Sequence, residues 1–191
     1  MCKKQSIILL IILFSCAVSC KHKPSHKEAL NYYVIVHLQT KEVKSIVKKF
    51  STELSQLVKQ YSSLKKDTFF NQKTIDSLQN EFSYLIMQVD KRMKILEKLS
   101  SAKEYLYIKK GAMEYIKDTR GILVKDVFKL IYTNKTVSYK TNKPDMVYVE
   151  MFKLRKLMLI HDEKFYKTLS ELFREEYNIT AEELITYGLE N

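Results

Sequence analysis

Only 3 of the 191 residues are Gly and 2 are Pro, Cys occurs 3 times, and Trp is absent. Sandwiches, barrels and phosphate-cradling α/β folds need many tight turns, and so little Gly and Pro excludes them in favour of long helices with few connections. The scarcity of Cys has its own consequence. Cys2 and Cys16 fall inside an amino-terminal leader, so Cys20 alone stays with the mature chain. That count excludes an internal disulfide, a thiolate metal cluster and, once Cys20 is modified, a Cys nucleophile. No Gly-rich phosphate loop and no nucleophile elbow occur.

The leader has a basic start, Lys3 and Lys4, followed by an apolar run from Ile7 to Val18. At about 1.5 Å per helical residue this run cannot cross a hydrocarbon layer of about 30 Å, so it reads as a signal peptide over residues 1–19. Its ending, Ala17-Val18-Ser19-Cys20, is similar to a bacterial lipobox, in which small residues precede a Cys that receives diacylglycerol and becomes the new first residue. A second motif, Leu13-Phe14-Ser15-Cys16, carries a bulky Phe and has only the six apolar residues Ile7 to Ile12 before it. Cys20 is therefore the expected lipid attachment site, with Cys16 the alternative. Acyl chains contribute about 0.8 kcal/mol per buried methylene, enough to hold a protein on a bilayer without a spanning helix.

Residues 20–27 read as a short polar tether and 28–191 as one domain. Lys21 stands where inner-membrane lipoproteins resemble one another in having Asp, and the basic tether lacks the acidic cluster of lipoproteins displayed outside the cell. The expected location is the outer membrane, facing the periplasm.

The domain reads as all-α. Ala29, Tyr33, Val36, Thr40, Val43, Val47, Phe50, Leu54, Leu57, Tyr61 and Leu64 alternate spacings of 4 and 3 without an error, a coiled-coil-like seam on a helix about 55 Å long. A second stripe runs Ile75, Leu78, Phe82, Leu85, Val89, Leu96, Leu99, with Arg92 its one polar member. Ser101-Ala102-Lys103-Glu104 fits a capping box and places a break there, although one unbroken helix over 72–133 is the competing layout. The third stripe is Tyr105, Ile108, Ala112, Ile116, Thr119, Leu123, Val127, Leu130, with Gly111 and Gly121 marking a kink or a close helix crossing. A polar loop over 134–143 precedes Pro144.

The fourth stripe is Val147, Met151, Leu154, Met158, His161, Phe165, Leu169, Leu172, flanked by Tyr148, Phe152, Leu159, Tyr166 and Phe173. Thr180-Ala181-Glu182-Glu183 opens a short last helix ending near Gly188. The expected fold is an antiparallel four-helix bundle with a short carboxyl-terminal helix.

Bundle enzymes commonly place a Glu three residues before a His on two helices. Val34 precedes His37 and Met158 precedes His161 at that spacing, so no di-metal site is expected. His22 and His26 lie in the tether, where a flexible pair binds metal weakly. His37 and His161 read as partly buried residues with ring hydrogen bonds. Asp162 and Glu163 point away from His161 on a helix and form no acid-base pair with it. Most of the 13 Tyr and 9 Phe lie on stripes, with Tyr hydroxyls reaching water, and at least one of Tyr32 and Tyr33 should face away from the seam. The expectation is a protein without catalytic residues, cofactor or metal.

Thirty-three Lys and Arg against 22 Asp and Glu give +11. From Lys21 to Lys110 the net is +9, whereas Asp162 to Glu190 carries 8 acidic and 3 basic residues. Export separates the chain from nucleic acid, so the partners expected besides the membrane are an envelope protein, anionic polysaccharide or lipid head groups. A second copy of the chain is a further candidate partner, since such seams also serve dimers. The leading functional reading is a non-catalytic binding or structural module, and the alternative is a periplasmic inhibitor or immunity-type lipoprotein that blocks an enzyme.

Two segments, Ala29-Leu30-Asn31-Tyr32-Tyr33 with Ile35 and Gln39, and Ala112-Met113-Glu114-Tyr115-Ile116-Lys117 leading to Val127-Phe128-Lys129-Leu130-Ile131, resemble a family of helical lipoproteins of Bacteroidetes and spirochaetes known as surface proteins. The resemblance implies a lipid-anchored bundle and no particular activity.

Overall fold

The computed structural model describes residues 24–63, 72–127 and 144–189. Of these, 91% are helical and none forms a strand, so the chain is all-α. Helix α1 spans His26–Ser63 and α2 spans Gln72–Lys98. A 3-10 turn, Lys103–Tyr105, leads into α3, Leu106–Ile122, which widens into a π turn over Leu123–Val127. Helix α4, Pro144–Asp162, passes through an eight-residue π segment, Glu163–Ser170, into α5, Glu171–Tyr177. A short α6, Ala181–Thr186, follows. The expected loop over 134–143 and the turn after Lys65 lie outside the described residues.

Helix α1 is the hub, packing against α2, α3, α4 and α5. Its stripe is buried from Ala29 through Leu54, with Leu57 half-buried; Leu64 and the Tyr61 side chain lie outside the described set. Each Val, Leu or Phe so buried contributes about 1.5–3 kcal/mol. The second stripe is buried at Ile75, Leu78, Phe82, Leu85, Val89 and Leu96. Arg92 fits this frame because its guanidinium reaches Glu42 of α1 at 3.6 Å.

The chain breaks between α2 and α3, so 72–127 is not one helix. The break is made differently from the expectation. Ser101 caps nothing; its hydroxyl meets the Tyr32 hydroxyl at 2.5 Å and donates to the Leu99 carbonyl, so a contact with α1 displaces the local capping box. The capping box at Thr180 forms as read, with Glu183 N–H donating to Thr180 Oγ1 and Thr180 N–H to Glu183 Oε2. The two glycines differ in kind. A Cβ on Gly111 would stand 2.2 Å from Leu169 Cδ1, which makes it the close crossing of α3 with the π segment, whereas a Cβ on Gly121 would meet nothing.

The fourth stripe slips near its end. Leu154 and Phe165 are buried, but Leu172 is 53% exposed and Phe173 takes its place in the core at 0%. A π turn holds more than the usual 3.6 residues. Core positions therefore advance in steps of four, Phe165, Leu169, Phe173, Tyr177, where a regular helix would have used Leu172. Two wide turns in succession cannot be read from hydrophobic spacing.

Tyr32 and Tyr33 are both buried, together with Leu30 and Val34. At this end α1 is enclosed on several sides, so adjacent residues find separate neighbours. Tyr32 packs on Tyr105 and Tyr33 on Phe173.

Candidate functional site

Cys20, the expected lipid attachment site, and Cys16 lie outside the described residues. The histidines are well defined. His26 belongs to the stretch assigned to the tether, yet it and Lys27 form the first turn of α1. Its Nδ1 lies 2.7 Å from the Tyr177 carbonyl and its Nε2 lies 2.6 Å from Glu183 Oε1. Both partners only accept, so both ring nitrogens must donate and the imidazolium is the form that fits. The Glu183 hydrogen bond, with help from the Tyr177 carbonyl, accordingly raises the His26 pKa above its ordinary value of 6.5. The Thr180 amide and then His26 hold the Glu183 carboxyl below its ordinary 4.5. Lys41 Nζ also donates to the Gly188 carbonyl, so α1 grips the carboxyl-terminal segment at two points. Left-handed Asn178 and Gly188 close α5 and α6, each followed by a buried apolar residue, Ile179 and Leu189.

His37 is half-buried but lacks the expected ring hydrogen bond. Its Nδ1 is buried without a partner, while the ring stacks on Tyr33 at 5.1 Å and meets Tyr166 edge-on at 4.8 Å. Desolvation, with the nearby charges of Lys41, Arg174 and Lys44, lowers its pKa to about 4. It is a neutral aromatic element of the core near neutral pH.

His161 is partly buried, with Nδ1 3.5 Å from Asp118 of α3. Asp162 is drawn elsewhere, as helical geometry requires. Its carboxylate lies 2.6 Å from Lys44 Nζ and accepts the Tyr115 hydroxyl at 3.0 Å, joining α1, α3 and α4. Lys44 also sits 5.1 Å above the Tyr166 ring, and the Tyr166 hydroxyl donates to Thr40. Burial, reinforced by Asp162, raises the Tyr115 pKa. Several Tyr hydroxyls bond protein groups: Tyr33 meets Ser170 at 2.5 Å in the core, and Tyr107 donates to Glu176 at 3.0 Å at the surface. Tyr105 and Tyr177 hydroxyls are buried without a partner, and burial pushes Tyr105 up to about 12.

An open groove of about 1000 Å³ runs between α2, α3 and the end of α4. Met93, Met113 and Ile122 form its apolar floor, while its charged rim alternates in sign. Glu114 pairs with Lys164 at 3.3 Å and Asp118 with His161, and Arg120 forks onto Asp90 at 2.5 and 3.3 Å beside it. The hydrogen bond to Asp90 raises the Arg120 pKa. These pairs neutralise one another across helix faces and do not converge on a single point, an arrangement suited to shape-complementary contact. Among the described residues no three His, Cys, Asp or Glu side chains stand close enough to hold a metal ion.

Sequence reasoning found the stripes on which these groups sit but missed His26 as a latch and Asp162 as a three-helix junction. Neither has a local signal, because the partners lie on other helices far along the chain. No protein-family model, no curated protein and no solved structure matches the chain.

Proposed function

We propose that this chain is a bacterial envelope lipoprotein, acylated on Cys20 and held on the periplasmic face of the outer membrane, whose domain binds another envelope component without catalysis. The observation that carries the reading is the amino-terminal pattern of Lys3-Lys4, an apolar run and Ala17-Val18-Ser19-Cys20. Helix α1 begins at His26, six residues after Cys20, a reach of about 20 Å at most. The latch on His26 then joins the anchored end of α1 to the carboxyl-terminal helices, so the folded part sits beside the membrane. No described helix is long and apolar enough to cross a membrane, which leaves attachment in this reading to the lipid. The open grooves, with apolar floors and charged rims, suit binding.

The long helices α1, α2, α3 and α4–α5 form, in this reading, an antiparallel four-helix bundle capped by α6. Support comes from the short connection at 99–102 and the central packing of α1 on α2, α3 and α4.

Metabolic labelling with radioactive palmitate tests the anchor: the label is expected on the wild-type chain and is lost in Cys20→Ala. Undiminished labelling of both Cys20→Ala and Cys16→Ala removes the reading. Crosslinking in cells then identifies the partner, and capture of a lytic enzyme or toxin in place of an envelope component turns the conclusion to an inhibitor.

A further inference from the structure

A second cleft, of about 440 Å³, lies between the middle of α1 and α4. That volume is within the range of small-molecule sites. Val47 and Leu154 are its buried floor, at 0% and 1% exposure, and Met158 and Leu159 form one wall. Leu159 is 68% exposed, an unusual position for a Leu beside an open apolar channel. The methylene stems of Lys44 and Lys48 extend the apolar lining on the α1 side.

Polarity along this cleft is uneven. At one end Lys44 is neutralised by Asp162 at 2.6 Å. Toward the other end stand Lys48 and Arg155, and no carboxylate among the described residues pairs with either. Arg155 is nevertheless held in place: its Nε donates to Ser51 Oγ and its Nη2 to Ser55 Oγ, both at 3.3 Å. A guanidinium oriented by two neutral hydroxyls keeps further donors free for an anion, and a planar fork of this kind matches a carboxylate.

From these observations we infer that the α1–α4 cleft is a binding site for an amphiphilic anion, a fatty carboxylate whose head meets Arg155 and Lys48 and whose alkyl chain runs along Met158, Leu159 and the Lys44 stem, above the closed layer of Val47 and Leu154. The distance from Arg155 to Asp162 is seven helical residues, about 10 Å, the length of about eight carbons of an extended alkyl chain. Apolar area alone names no ligand; the two cations at one end, which no described carboxylate pairs, do, because they set both the sign and the position of the head group. This inference does not depend on acylation of Cys20.

The test uses the full chain in membranes and a photoactivatable dodecanoate carrying a diazirine on its alkyl chain, with the labelled peptides located by mass spectrometry. Labelling is expected on peptides containing 44–52 and 154–159, displaced by dodecanoate but not by dodecylamine of the same chain length. Replacing both cations, Lys48→Met with Arg155→Met, is expected to weaken labelling at least about tenfold, the loss of a charge-assisted hydrogen bond. Leu159→Glu, at an exposed position, should abolish it while the circular dichroism melt stays unchanged. Equal displacement by the amine, labelling confined to peptides outside α1 and α4, or full labelling of the double variant would each overturn the assignment. Because the readout is the labelled helix, its failure is separate from any failure of lipid attachment at Cys20.

Discussion

The two ends of the helical core are built from different materials. Along the later part of α1 and most of α2 the described core is mainly an aliphatic seam of Val43, Val47, Leu54, Ile75, Leu78, Leu85 and Val89, joined by the rings of Phe50 and Phe82 at 5.9 Å. Where α1 begins, the core is a mesh of rings from several elements. Phe173 alone lies within 6 Å of the centroids of Tyr33, Tyr105, Tyr107 and Tyr177. The seam follows one regular periodicity along each helix, and each of its residues could be exchanged for another of similar volume. The mesh needs α1, the 3-10 turn, α3, the π segment and α5 in place together, so its contacts form or fail as a unit.

That contrast predicts its own largest perturbation. Phe173→Ala should cost about 3–5 kcal/mol by denaturant titration, because the hole opens where four rings converge, and Leu54→Ala toward the end of the seam should cost about 2–3 kcal/mol. Equal costs would show that the mesh is no more cooperative than the seam.

Next in size is an effect of pH. His37 has an ordinary pKa of 6.5 that burial lowers to about 4 in the folded protein, so between those values the unfolded chain binds a proton that the folded chain does not. Its contribution is intact above pH 6.5 and falls as the pH drops toward 4, by up to about 3 kcal/mol. His37→Phe should flatten that acid limb in melts recorded from pH 7 to 4, and an unchanged slope would remove His37 from the account.

Smaller still are the glycines, which sharpen the comparison by sign. Gly111→Ala must displace the end of Leu169 and is expected to destabilise by about 1 kcal/mol. Gly121→Ala has open space and should stabilise by about 0.5–1 kcal/mol through the unfolded chain. Thermal melts of the two variants should move in opposite directions.

The smallest global effect belongs to His26→Gln, whose consequence is local. The raised pKa of His26 means its contribution is complete below pH 6.5 and fades as the pH rises through the folded value, while that of Glu183 is complete above 4.5 and fades as the pH falls. The latch is therefore strongest between those limits. Amide exchange in 178–189 should accelerate in the variant at pH 6 with little change in the melting temperature; unaltered exchange would mean that Lys41 and the buried Ile179 and Leu189 hold the segment unaided.

Legibility in the sequence divides along the same line. The stripe on α1 from Ala29 to Leu54 is buried as read, and so are the α2 stripe at its six apolar positions from Ile75 to Leu96 and the α3 stripe from Tyr105 to Val127. Departures cluster at the aromatic end. Leu172 gives way to Phe173, Ser101 abandons its cap for Tyr32, and His37 stacks where a hydrogen bond was expected. Of the candidate site, the pairing of His161 with Asp118, the junction at Asp162 and the orientation of Arg155 by Ser51 and Ser55 all join residues more than forty positions apart.

Periodicity is a property of a single helix, and a missing or surplus residue type is a property of composition. These two alone determined the all-α class and the buried faces of α1, α2 and α3. Which helix meets which face, where a turn widens to admit one more residue, and which distant side chains satisfy a buried polar group were decided only by packing. Those choices are made by contacts between segments, whose energies appear only once the chain has closed on itself.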